Sequence, residues 1–135
     1  MLVPIPIGLW IFSLVCDLIH VAGSGNPAWG TVALYTMAGG LVGALAAAVF
    51  GLVDLLSLPP GPRSTGIKHM AINLVVVVLF ALNLWLRWGS PENPGGLVWL
   101  SLAAILLLVV SGWLGGKMVY EHGVAVTEPG ERPRG

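Results

Sequence analysis

The stretch from Lys68 to Trp88, KHMAINLVVVVLFALNLWLRW, constrains the fold of this chain more than any other. It is long and apolar enough to cross a bilayer, because about 20 residues rising 1.5 Å each cover a hydrocarbon core of about 30 Å. Yet His69, Asn73, Asn83 and Arg87 interrupt it, at offsets of 0, 4, 14 and 18 residues. At about 100° per residue all four fall within about 40° of one line along a helix, and Val76 and Phe80 fill the gaps between them. Polar groups facing hydrocarbon are costly, so such a face turns toward partner helices or a wet cavity. The stretch predicts one helix of a small membrane bundle with its polar seam inward.

Three more apolar runs complete that bundle. The first, Ile5 to Ala22, lacks a basic leading segment and reads as a span rather than a cleaved signal peptide. Pro4 and Pro6 stand at its start, where missing amide donors matter little. Ser13, Asp17 and His20 share one of its faces. SGNPAWG, residues 24–30, reads as a turn. The second run covers residues 31–56, and its small residues Gly39, Gly43, Ala47 and Gly51 recur every four positions, a ridge that lets another helix backbone approach. SLPPGPRSTG, residues 57–66, reads as a Pro-rich connector that is not helical throughout, which puts the third helix at 67–88. GSPENPGG precedes a fourth run at 97–119, with Gly112 and Gly116 near its end. The expected architecture is all-α: an integral membrane four-helix bundle with short loops over residues 1–126, then a mobile polar tail at 127–135.

Composition agrees. The chain is 56% hydrophobic and only 9% charged, against about 25% charged in soluble domains. Its net charge is zero, which argues against nucleic acid because no basic surface exists to release counterions. One cysteine, Cys16, rules out a disulfide within the chain and reads as a small core hydrophobe. Phosphate-binding loops, dinucleotide fingerprints, CxxC, CxxCH, HExxH and nucleophile elbows are all missing from the sequence, so it carries no signature of an enzyme. Four spans put both ends of the chain on one side, together with Arg63, Lys68, Lys117, Arg132 and Arg134, and leave Arg87 alone on the other. That bias places both termini in the cytoplasm. Trp29, Trp85, Trp88 and Trp99 suit an aromatic belt at the opposite interface, with Trp113 and Tyr120 toward the inner one.

Depth then sorts the polar residues into two clusters. Asp17, His20 and Arg87 lie near the outer face, with Asp17 and Arg87 the obvious pair. They are either a knot that fixes helix packing or a proton or ion site. Asp54, His69, Asn73, Lys117, Glu121 and His122 lie near the inner face. Here His69 and His122 could ligate a b-type haem or a metal, with Asp54 as a further ligand or an acceptor orienting an imidazole, and Asn73 and Glu121 behind them. The plainer alternative is that these histidines hydrogen-bond to loops and carboxylates.

The segments LVPIPIGLWIFSLVCDLIH and SGWLGGKMVYEHGVAV, with G-x-x-D at Gly51 to Asp54 and H-x-x-x-N at His69 to Asn73, resemble a bacterial family known as domain of unknown function 2231. The resemblance covers residues 2–126 and implies a four-helix membrane protein of the bacterial inner membrane with no established activity. Members of that family are also fused to Rieske-type iron–sulfur domains, which implies a redox setting. Many carry a His-Pro pair just before the segment matching Leu2 to Ile7, a position this sequence does not hold. Three expectations result: a structural or partner-binding membrane subunit, a b-type haem or metal electron carrier using His69 and His122, and a proton or ion conductor built on Asp17, His20, Arg87 and Asp54. A redox or other membrane protein is the expected partner, and a homodimer through the Gly39–Gly51 ridge is an alternative use of those glycines.

Overall fold

The computed structural model describes residues 2–24, 26–90 and 94–124. Among these, four long helices follow one another: α1 Pro4–Ile19, α2 Ala28–Ser57, α3 Pro60–Arg87 and α4 Leu97–His122. All four are long and apolar enough to cross a membrane. The expected tail at 127–135 lies outside the described residues.

Local chemistry explains where each helix stops. A wide turn at His20–Ser24 closes α1, and Gly23 within it adopts a φ of 97°, a conformation that side chains rarely tolerate. The side chain of Asn26 then accepts a hydrogen bond from the amide of Ala28 at 2.9 Å and satisfies one of the orphan donors that open α2. At the far end α4 finishes on Gly123, with a φ of 61°. There the amides of Gly123 and Val124 bond back to the carbonyls of Val119 and Met118, at 3.1 and 3.2 Å. This is the paired closure that a left-handed glycine allows.

One boundary differs from the sequence expectation by about two turns. The third helix begins at Pro60, not at 67, and the α2–α3 connector shrinks to Leu58 and Pro59. The first four amides of any helix lack an intrahelical acceptor, so Pro60 and Pro62 sit where a missing donor costs nothing. Proline counted as a breaker in the sequence is here a helix start. Gly66 faces this two-residue turn from the other side, beneath the side-chain ends of Leu55 and Leu58. A methyl group on it would come within 2.7 Å of Leu55 and 2.9 Å of Leu58.

The helices pack in a ring. α1 lies chiefly against α2 and α3 against α4, while α2–α3 and α4–α1 contacts close the circle. α1 and α3 therefore face one another across the diagonal. Long side chains bridge that gap: the indole of Trp10 stacks on the ring of Phe80, with centroids 4.3 Å apart and planes 11° from parallel. Met37, Val76 and Ala104 complete this core, all fully buried. The indole N–H does not stay orphaned, because it donates to the carbonyl of Met37 at 3.3 Å.

The small-residue ridge of α2 is used within the chain over part of its length. Added methyls at Gly39 and Gly43 would touch Leu9 and Pro6 of α1, at 3.4 and 3.3 Å. At Gly51 of α2, and at Gly112 and Gly116 of α4, an added methyl would meet nothing within 4 Å. The closest approach involves a glycine off that four-residue register: a methyl on Gly40 would run into the indole of Trp10. Gly40→Val is expected to displace the stacked ring and destabilise the bundle by about 1–3 kcal/mol. Gly51→Val is expected to leave stability within about 0.5 kcal/mol. Tryptophan fluorescence of the detergent-solubilised variants during denaturant titration measures both.

Candidate functional site

Three of the outer polar residues, Asp17, Arg87 and Asn83, form one connected network. Arg87, the last residue of α3, reaches across the diagonal to Asp17 of α1 and binds it with both guanidinium ends, at 2.8 and 3.0 Å. Both side chains are completely buried. The remaining edge of the guanidinium is held as well, since Nε donates to Oδ1 of Asn83 one turn earlier, at 2.9 Å. The Asn83 amide then donates both its hydrogens into α4, to the carbonyl of Leu97 at 2.9 Å and to the hydroxyl of Ser101 at 2.8 Å. A separate bond ties α1 to α2, where Ser13 donates to the carbonyl of Ala33 at 2.8 Å. A forked, two-point geometry is the strongest form of this ion pair, and a medium without water leaves its charges no other partner.

His20 was expected in this cluster and stands apart from it. Its Nδ1–H donates to the carbonyl of Asn26 at 3.2 Å, so it ties down the α1–α2 turn. Among the described residues no hydrogen bond or ion pair joins it to Asp17 or Arg87. His20 itself keeps helical dihedrals, φ −63° and ψ −49°, and stands at the end of α1, where its ring meets the α1–α2 turn instead of the ion pair.

The inner cluster is smaller than its sequence outline. His69 packs against α4 with Nδ1 at 2.9 Å from the carbonyl of Ser111 and 3.0 Å from its hydroxyl. A carbonyl can only accept, which assigns the imidazole proton to Nδ1. Nε2 then accepts from the amide of Asn73, one turn along, at 3.0 Å. Both ring nitrogens are thus occupied, and a metal could take Nε2 only if Asn73 let go. The ring edge lies beside Gly115, where an added methyl would sit 3.5 Å from Cε1, in ordinary van der Waals contact. Asp54 stays exposed on α2 with no hydrogen bond to His69. Glu121 pairs with Lys117 at 3.4 Å, at the surface. The side chain of His122 lies outside the described residues. Among the described residues no three His, Cys, Asp or Glu side chains come together as a metal-binding group.

Ser101, Ser111 and Gly115 are the residues that sequence reasoning missed. The signal was faint but present: Ser101 and Ser111 are the two serines of an otherwise apolar run, and a helical projection puts them within about 80° of one another. A serine in an apolar helix is easily passed over, because it can satisfy itself on the carbonyl one turn back. Here both serines are buried and serve α3 instead.

Charges and amides that satisfy one another inside, with apolar side chains covering the outside of four spanning helices, define a multi-pass membrane bundle. A family model described as a predicted membrane protein, DUF2231, matches residues 1–128. The chain belongs to that family, whose function is unknown. No curated protein and no solved structure matches it.

Removing one partner of the buried pair isolates the other. Asp17→Leu is expected to cost about 3–5 kcal/mol, because the Arg87 guanidinium would remain buried without a counter-charge. The check is the denaturation midpoint in micelles, which should fall far more for Asp17→Leu than for His20→Leu.

Proposed function

We propose that this chain is a structural or partner-binding subunit of a bacterial inner-membrane assembly, with both termini in the cytoplasm. One observation carries the reading: among the described residues, no buried side-chain nitrogen or oxygen lacks a hydrogen-bond partner. A conductor needs a buried group that can exchange partners with a passing proton or ion. A redox carrier needs a ligand atom held open for its cofactor. The polar seams here are closed on themselves, and their consequence is a rigid ring of helices that presents an apolar exterior to lipid and to other spans. Such a part serves as a scaffold. The orientation rests on the basic residues Arg63, Lys68 and Lys117 at one end of the bundle, against Arg87, which is already neutralised by Asp17.

The test replaces the whole outer network by apolar groups of similar size: Asp17→Leu, Asn83→Leu and Arg87→Met together. Exchanging a complete buried ionic network for a packed apolar one is often neutral or stabilising. The triple variant is therefore expected to fold and to run in native membranes in the same complex as the unaltered chain on a blue native gel. Reconstituted liposomes should show the same low proton flux for both proteins. A flux above that of empty liposomes, lost in the triple variant, would overturn the scaffold reading in favour of conduction. A Soret band in protein grown with haem precursor, lost in His69→Ala, would overturn it in favour of a membrane cytochrome. For the topology, alkaline phosphatase fused after residue 124 should be inactive, and the same enzyme inserted in the α3–α4 connection should be active.

A further inference from the structure

The last two turns of α4 carry a feature that the polar network does not use. Trp113, Gly116, Lys117, Tyr120 and Glu121 line a hollow of about 290 Å³ on the outside of the bundle. Their spacing of 3, 4, 7 and 8 residues from Trp113 keeps them on one side of the helix. Lys117 holds its ammonium 5.9 Å from the centroid of the Trp113 ring and 3.4 Å from the carboxylate of Glu121. Gly116 leaves the floor open, because a methyl there would meet nothing within 4 Å. Tyr120 is 90% exposed and Trp113 68% exposed. Directly above, the exposed side chains of Val109 and Val110 continue the same surface toward the middle of the span.

The depth of this hollow identifies its surroundings. Trp99 and Tyr120 are separated by 21 residues of one helix, or about 32 Å along its axis. That matches a hydrocarbon core of about 30 Å, so Tyr120 marks one interface and Lys117 and Glu121 sit at headgroup level. A cation and an anion side by side, with the Trp113 ring against the cation and Tyr120 at the rim, complement a headgroup that itself carries a phosphate and an ammonium.

We infer that this hollow is a binding site for a zwitterionic aminophospholipid, a phosphatidylethanolamine. Its phosphate meets Lys117. Its primary ammonium donates to Glu121 and lies against the faces of Trp113 and Tyr120, where cations are attracted by the ring quadrupole. One acyl chain runs up the helix over Trp113, Val109 and Val110. A choline headgroup has no N–H to give Glu121, and a glycerol headgroup has no cation for it, which is the basis of selectivity.

Native mass spectrometry of the full chain, released from detergent with added palmitoyl-oleoyl phosphatidylethanolamine, phosphatidylcholine or phosphatidylglycerol, tests this. Retention of the ethanolamine lipid should exceed that of the choline lipid about fivefold, as expected for one charge-assisted headgroup contact. Glu121→Gln should abolish the preference over the glycerol lipid while leaving some retention of both. Lys117→Gln should lower retention of all three, and Gly116→Leu should fill the hollow with the same result. Circular dichroism confirms that these surface variants remain helical. Equal retention of the three headgroups, or a preference for the glycerol lipid that Glu121→Gln leaves unchanged, would overturn the proposal.

Discussion

A charge inside a bilayer must be paired, and the Asp17–Arg87 bridge is where this chain meets that requirement. The geometry of the bundle can be read outward from it. Seven residues before Asp17 stands Trp10, and seven before Arg87 stands Phe80. These two rings stack on each other. The diagonal pair α1 and α3 thus meets twice at the same heptad interval, once through aromatic rings and once through ions. Both helices run the same way across the membrane, so the two contacts share one register. Sliding α1 by a turn would break the stack and the bridge together. That coupling is what makes a small bundle with loosely apolar faces choose a single packing. Dispersion between apolar side chains alone does not discriminate well among registers in lipid, where the surroundings are as apolar as the helices.

Asn83 extends the constraint to α4. Its amide receives nothing from the ion pair beyond the bond from Arg87 Nε, yet it donates both its hydrogens across to Leu97 and Ser101. The residue works as a relay that converts a two-helix bridge into a three-helix clamp. The inner half is held differently. His69 meets α4 through Ser111, and Asn73 holds the other ring nitrogen from within α3. One end of the bundle is held by an ion pair and the other by the imidazole of His69. The ion-paired end is where α3 stops, which also places the positive charge of Arg87 at the negative end of the helix dipole.

The glycines show why a motif and a contact are different things. Gly39 and Gly43 belong to a recognisable four-residue ridge and do receive α1. Gly40 breaks that register and is nevertheless the glycine on which the core depends, since it lies beneath the Trp10 indole. Gly51, Gly112 and Gly116 fit the spacing but have open space before them. Spacing reports that a backbone could come close. Only the bulk of the facing side chain, here an indole, decides at which glycine closeness is obligatory.

The sequence by itself determined four spanning runs, their all-α class and the face of α3 that turns inward. It also determined the pairing of Asp17 with Arg87, because periodicity and depth leave a buried charge one plausible counter-charge. It did not determine where α3 begins: proline is as good a helix start as it is a breaker, and only the two-residue turn at Leu58 and Pro59 distinguishes the roles. Nor did it separate His20 from the ion pair, since a shared face does not say which partner a residue at the helix end meets, and His20 meets the carbonyl of Asn26. The partners of Ser101 and Ser111 became visible only in three dimensions. A helical period specifies the direction in which a residue points. What it meets there depends on the rotation, register and distance of a second helix, and those are set by the packing of the whole bundle.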